Sequence, residues 1–300
     1  MKILVSGSRG FIGSALVDSL VAQGHQVVRL VRKSSVQQTE DFVWSPDDSY
    51  VDKNAFKGCD AVVHLAAENI AGRWTKEKMR NIRQSRVAGA KVICDAIMAL
   101  DERPPVYLSA SGVGYYGQCG EERLREDQPC GNDFLAQVAK DREAVSESLE
   151  KCGIRVVNFR FGMVLGNGGP LGKMLGAYQA GLGAKFGSGD QYWSWVTRTD
   201  AVRAIIHAIT TESVSGPINV VSPNPVTNAE FTKTLAKALD KPQFLTLPAP
   251  MARLMLGKMA NVLLLTSIRA EPAVLLNSGF TFEHPELKQA LTAILSQSSN

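Results

Sequence analysis

A chain of 300 residues, 45% hydrophobic and 21% charged, can bury a substantial core and sits at the upper end for one domain. Its formal charge of +4 is mild, and lysines and arginines are scattered among acids, which argues against a nucleic-acid partner. The five cysteines are odd in number, widely spaced and without a CxxC pair, so they read as reduced thiols of a cytoplasmic protein with no membrane span.

In chain order, KILVSG (2–7) is a β-branched run of buried-strand length, and Gly7 and Gly10 interrupt it before a signal-peptide core could form. FIGSALVDSLVAQG (11–24) has helical apolar spacing closed by a glycine, and HQVVRLVR (25–32) returns as a strand. The alternation continues through CDAVVHLAA (59–67), a helix across 76–100, PVYLSAS (105–111), a helix across 134–151 and RVVNFRFGMVL (155–165). This pattern predicts an α/β fold of Rossmann type, a doubly wound parallel sheet with helices on both faces.

After residue 165 the chain becomes glycine-rich, and short elements separated by Pro and Gly follow. The expected division is a dinucleotide-binding domain at 1–165 and a smaller, discontinuous C-terminal lobe at 166–198 and 223–300. TDAVRAIIHAI and PINVVS, within 199–222, return to the main sheet. MARLMLGKMANVLLL (251–265) is expected as one amphipathic helix packed on the protein, and the polar tail SQSSN (296–300) is expected to fray.

Gly7, Gly10 and Gly13 stand three apart between the first strand and the first helix, in the run Gly7-Ser8-Arg9-Gly10-Phe11-Ile12-Gly13. In such a loop the first glycine allows the tight turn, the second lets backbone amides approach a pyrophosphate, and the third lets the helix pack closely on the strand. Anions are then met by the free N–H groups and positive dipole end of the helix. NAD-selective sites carry an acid at the end of the second strand; this chain has Arg32 and Lys33 there. A guanidinium can grip a 2′-phosphate in a bidentate contact, with Arg9 closing over the same group, so the expected cofactor is NADP(H). The other reading of Arg32 is a solvated strand-end charge.

The Gly7-x-x-Gly10-x-x-Gly13 spacing, HLAAENI (64–70), SASGVGYYG (109–117) and GSGDQYWSWVTRTDAVRAI (187–205) resemble the extended short-chain dehydrogenase/reductases, the superfamily of nucleotide-sugar epimerases and dehydratases. FGMVLGNGGPLGKML, GPINVVSPNPVTNAEFTKTLA and LNSGFTFEHPELKQAL look like an atypical group within it, the epimerase family proteins, which carry a C-terminal domain of unassigned function.

That resemblance implies an oxidoreductase or epimerase-like activity on a small polar substrate. It lays Leu65, Ala66 and Ala67 under the cofactor, with Ser109 and Val164 also beside it, and sets Ser111 on the active-site serine. Catalysis in the superfamily uses a Tyr-x-x-x-Lys pair one helical turn apart. The matching helix, DFLAQVAKDRE (133–143), keeps Lys140 but has Ala136 four residues earlier. The ordinary proton donor is therefore missing, and a non-catalytic NADPH-binding protein is the rival reading.

Tyr115 and Tyr116 are the candidate substitutes, either as acids or as walls of the pocket. Lys140 either bonds the nicotinamide ribose or is a solvated helix lysine. In RVAGA (86–90), Arg86 takes the place of an asparagine that the superfamily uses near the cofactor, with Asn81 upstream. It can hold a phosphate or carboxylate, or be a surface charge. Trp193 and Trp195 either face a flat ligand or pack. The four histidines form no metal-ligand pattern, so no metal is expected. Superfamily members often pair through two helices flanking the sheet, so the expected state is monomer or homodimer.

Overall fold

The computed structural model describes residues 1–37, 39 and 41–296. The chain opens with β1 (Lys2–Ser6), α1 (Phe11–Ala22) and β2 (Gln26–Val31), then adds β3 (Asp41–Ser45) and β4 (Tyr50–Val51), which are not among the expected elements. Next come β5 (Ala61–His64), α2 (Lys76–Met98), β6 (Val106–Gly112), β7 (Arg123–Leu124), α3 (Phe134–Val145), α4 (Glu147–Glu150) and β8 (Arg155–Phe161). The chain continues through β9 (Met163–Leu165), α5 (Gly169–Gln179), β10 (Ala184–Phe186), β11 (Tyr192–Trp193), β12 (Trp195–Thr197), α6 (Arg198–Thr210) and β13 (Gly216–Val220). It closes with β14 (Val226–Thr227), α7 (Asn228–Ala238), β15 (Leu245–Leu247), α8 (Ala249–Leu256), β16 (Arg269–Ala270), α9 (Ala273–Asn277) and α10 (Leu287–Ser296).

Eight strands form the main sheet in the order β13-β8-β6-β5-β1-β2-β3-β4. All neighbours are parallel except β3 and β4, which pair antiparallel at one edge. The order runs outward in both directions from β1, so the crevice between β1 and β5 is the topological switch point where an open α/β sheet takes its ligand. Central strands read as continuous apolar runs because both faces are covered.

On one face, Leu16 and Leu20 of α1 and Ala204 and Ile205 of α6 pack on Ile3, Val5 and Leu108. On the other, Ile93 and Ile97 of α2 and Leu149 of α4 pack on Leu4, Val62 and Tyr107. Burying each large apolar side chain contributes about 1.5–3 kcal/mol. A third core joins α5, α7 and α10 around Trp193, Trp195 and Phe231. Both tryptophans pack there, and the Trp195 indole donates to the Asn224 carbonyl at 3.0 Å.

Helix starts follow their capping residues: Thr75, Asp133, Thr197 and Thr227 each accept a backbone N–H from the first turn of α2, α3, α6 and α7. Three expected elements are divided. The helix across 134–151 breaks at Ser146, whose hydroxyl donates to the Glu143 carbonyl at 2.7 Å, a local bond that competes with helix continuation. The strand across 155–165 splits at Gly162, where a β-carbon would stand 2.6 Å from the Ser194 carbonyl oxygen. Beyond it β9 leaves the main sheet to pair with β12. Within 251–265, α8 stops at Leu256 and a separate π-helical turn covers Ala260–Leu264. Met251, Leu254 and Met255 are exposed there, so the single packed helix is corrected to two short pieces. The tail expected to fray lies, apart from Ser296, outside the described residues.

Candidate functional site

Gly7 ends β1 with φ +70°, and a β-carbon on it would stand 2.7 Å from the Ala66 nitrogen, so the loop and the segment after β5 touch backbone to backbone. The Gly10 N–H closes the turn on the Gly7 carbonyl at 2.9 Å. A β-carbon on Gly13 would overlap that same carbonyl. No side chain caps α1, which leaves its first-turn amides open to an anion. The Ser8 hydroxyl is buried in this loop with no partner among the described residues. Phe11 and Ile12 are half-buried; Phe11 lies under the loop at Gly166–Gly169, with the Arg198 guanidinium 5.1 Å over its ring. A tight cradle of amides, closed to β-carbons and holding an unpartnered hydroxyl, fits the diphosphate of a dinucleotide.

Arg32 and Lys33 follow β2 and are exposed. Arg9 reaches from the loop to the same place, donating to the Ser35 carbonyl and to Asp41 Oδ2 at 2.8 Å. Asp41, the first residue of the unannounced β3, also accepts the Gln37 N–H at 2.8 Å. The run from His25 to Ser35 holds no acid, but the fold supplies one from outside it.

At the other end of the crevice the strands align His64 with Ser109 and Ser111 with Arg160. Ser111 Oγ donates to Glu143 Oε1 at 2.6 Å. Arg160 clasps both oxygens of that carboxylate, Nε to Oε1 at 3.0 Å and Nη2 to Oε2 at 2.8 Å. Its Nη1 donates to the Tyr116 hydroxyl at 3.0 Å, and its guanidinium stacks 3.5 Å from the centre of the Tyr115 ring. Burial works against the Arg160 charge, but Glu143 and Tyr116 more than offset it and hold the guanidinium above its ordinary value.

The two tyrosines differ. Tyr116 is 2% exposed; its hydroxyl donates to Asn219 Oδ1 at 2.7 Å and accepts from Arg160, and burial pushes its phenol up to about 12. Tyr115 is half-buried, and burial raises its phenol against the pull of Arg160, so it is protonated at neutral pH.

Ala136 is fully buried, and Lys140 is exposed with no hydrogen bond to a described residue. Asn81 is exposed on α2. Leu65 and Ala66 are half-buried and Ala67 exposed beside the Gly7 turn, while Val164 is buried against Val196. His64 ends β5 with its Nδ1 on Ser6 Oγ at 2.6 Å, so its ring partner is a hydroxyl and not the backbone. Arg86 is half-buried and donates to the Glu68 carbonyl at 2.9 Å.

Sequence reasoning missed Glu143, Arg160, Asn219 and Asp41. Only Glu143 carries a local signal: it lies three residues after Lys140 and seven after Ala136, on the same helix face. Among the described residues no three His, Cys, Asp or Glu side chains gather as a metal would need, and no helix is long and apolar enough to cross a membrane.

The model of the NAD-dependent epimerase/dehydratase family matches residues 3–221, which spans the glycine loop, the Ser111 strand and β13. The chain belongs to this family. The model of a domain of unknown function, DUF1731, matches residues 247–294 of this family member, from the end of β15 into α10. An epimerase family protein of Mycobacterium leprae is 38% identical over 292 residues, 97% of this chain and 94% of the relative. The epimerase family protein YfhF of Bacillus subtilis is 33% identical over 298 residues, 98% of each. The crystal structure of human epimerase family protein SDR39U1 with NADPH superposes with TM-score 0.88 at 31% identity, covering 99% of both chains.

Proposed function

We propose that this epimerase family protein is an NADP(H)-dependent oxidoreductase with epimerase-like chemistry, acting on a small polar substrate between the β1–β5–β6 edge and the C-terminal lobe. NADP(H) is favoured by Arg9, Arg32 and Lys33 at the end of β2 and by the NADPH bound to the human relative. The observation that carries the activity is the Ser111–Glu143–Arg160 group, built on the strand edge and helix face where the superfamily keeps its serine and tyrosine.

Bound NADP(H) supplies or accepts the hydride. Glu143 takes the hydrogen of Ser111, so the Ser111 oxygen presents its lone pairs and accepts a hydrogen bond from a substrate hydroxyl. Arg160 fixes both oxygens of Glu143 and so fixes Ser111. Tyr115, protonated and stacked on Arg160, is the group that can donate a proton to a substrate oxygen.

The test loads the protein with stoichiometric NADPH and follows nicotinamide absorbance as fractionated metabolite extract is added. Consumption with one fraction supports the reading and identifies the substrate. Ser111→Ala and Tyr115→Phe should then each slow turnover by about 100-fold. Bound NADPH that no fraction consumes overturns it in favour of a non-catalytic NADPH-binding protein, a reading favoured by Ala136 and by the exposed Lys140.

A further inference from the structure

The stretch 251–265, expected to pack on the protein, presents apolar side chains to solvent. Among the described residues the four most exposed large apolar side chains are Leu254 (84%), Phe244 (74%), Met255 (64%) and Leu182 (62%), and Met251 is exposed one turn before Leu254. Met251, Leu254 and Met255 stand at i, i+3 and i+4 on one face of α8, and Ala252 is the helix's buried residue. Phe244 directly precedes β15, and Leu182 lies two residues before β10. These strands pair in parallel from Ala184 opposite Leu245, which brings Leu182 and Phe244 to the same end of the pair. Apolar side chains scattered singly over a surface need no explanation, but a group of this size marks a contact.

The charge around it has one sign. From Lys241 to Ala270 the sequence contains no Asp or Glu, and neither does 166–189, the segment that supplies β10. The two stretches carry Lys173, Lys185, Lys241, Arg253, Lys258 and Arg269. Among the described residues none of these six is paired with a carboxylate, whereas Lys78, Arg83, Lys91 and Arg123 all are. Lys241, Arg253 and Lys258 are exposed.

The segment is also held in shape. Arg253 Nε donates to Asn261 Oδ1 at 2.8 Å and folds the π-helical turn back on α8. The Leu264 carbonyl accepts from Gln191 Nε2 at 2.8 Å and from Trp193 Nε1 at 3.3 Å, which ties the far end to the third core. The apolar face is therefore preformed on an anchored piece of chain.

Leu, Met and Phe rimmed by unpaired Lys and Arg complement a surface that is anionic outside and apolar just beneath. A second copy meeting this face through its own would set cation against cation. We propose that α8 with Phe244 is a docking face for an anionic lipid surface. Met251, Leu254 and Met255 enter the headgroup boundary, and Lys241, Arg253 and Lys258 meet lipid phosphates. With eight residues α8 is too short to span a bilayer, so it lies along the surface. The docking face needs no bound dinucleotide and stands apart from the NADP(H) reading.

The experiment sediments the full chain with vesicles of phosphatidylcholine and of phosphatidylcholine mixed with phosphatidylglycerol, at low and high salt. The expected result is binding to the mixed vesicles that falls as salt rises, with little binding to phosphatidylcholine alone. Leu254→Gln with Met255→Gln should weaken it about tenfold or more, through lost apolar insertion. Lys241→Gln with Lys258→Gln should weaken it roughly 25-fold at low salt, since each cation near such a surface contributes about fivefold. Val21→Gln, exposed on α1 outside the face, should bind as wild type does. All the substituted side chains are exposed, so the unfolding midpoint stays level in each variant.

Wild type that stays in the supernatant with the mixed vesicles overturns the proposal. So does binding that both double variants retain, or that Val21→Gln loses equally. Binding lost with the two lysines but kept without Leu254 and Met255 is plain electrostatic adsorption, and it overturns the docking face as well. Equilibrium sedimentation without lipid identifies the rival occupant: self-association that Leu254→Gln with Met255→Gln abolishes, in a protein that binds no vesicles, assigns the face to a second copy instead. Should that double variant fail to fold, Leu254→Gln alone takes its place under the same criteria.

Discussion

Arg32 lies exposed beyond β2, close in sequence to Ser35, which Arg9 reaches from the glycine loop. A bond to a charged group contributes about 1.5–3 kcal/mol, so Arg32→Ala should weaken NADPH roughly 10- to 100-fold in a fluorescence titration. NADH, with no 2′-phosphate to lose, should bind as before; equal weakening of both would place Arg32 outside the phosphate contact. Glu143 is a different kind of residue, because its oxygens serve Ser111 and Arg160 together and its partner guanidinium is only 4% exposed. Glu143→Gln keeps the shape and leaves Arg160 buried with a neutral neighbour, which should cost about 3–5 kcal/mol in urea unfolding. A loss under ~1 kcal/mol would mean that Arg160 is satisfied by Tyr116 and the Glu126 carbonyl alone.

At the scale of elements, the β1–α1 unit is bound together by Gly13, whose missing β-carbon lets the helix rest on the Gly7 carbonyl. Gly13→Ala must push the two apart, an overpacking cost of about 1–3 kcal/mol, and should abolish dinucleotide binding while the fold survives in circular dichroism. Binding retained at wild-type affinity would show that the loop relaxes freely. This unit is legible in the sequence because its logic is local: strand, turn glycines and helix lie within the span from Lys2 to Ala22. The Ser111–Glu143–Arg160 group is not, because its members are 32 and 17 residues apart and meet only through strand register and helix docking. β3 was hidden for a similar reason. Its first residue is an acid, and the guanidinium that meets that acid, Arg9, lies 32 residues away in the chain.

At the scale of the whole molecule, the same burial that assembles the crevice makes stability depend on pH. His64 is fully buried, with Nδ1 on Ser6, its ring edge-on to Trp44 at 5.6 Å, and Nε2 without a partner among the described residues. Burial and then the Arg142 charge hold it well below its ordinary value of 6.5, so the folded protein keeps it neutral where the unfolded chain protonates it. His207, bonded to Ser278, is lowered by burial in the same direction. A depressed histidine leaves stability intact above the unfolded value and erodes it as pH falls below 6.5 toward the folded value. The slope for His64 alone is about 1.4 kcal/mol per pH unit. Glu126, raised above its ordinary 4.5 by burial, acts oppositely and only as pH falls through its own range. Urea unfolding at pH 8, 7, 6 and 5 should therefore give a plateau at the two higher values and a decline below. In His64→Gln the decline should flatten by the His64 share, whatever the variant's absolute stability. An equally steep decline in His64→Gln would mean that His64 is protonated in the folded protein, with its charge accommodated beside Arg142 by a rearrangement of the crevice floor.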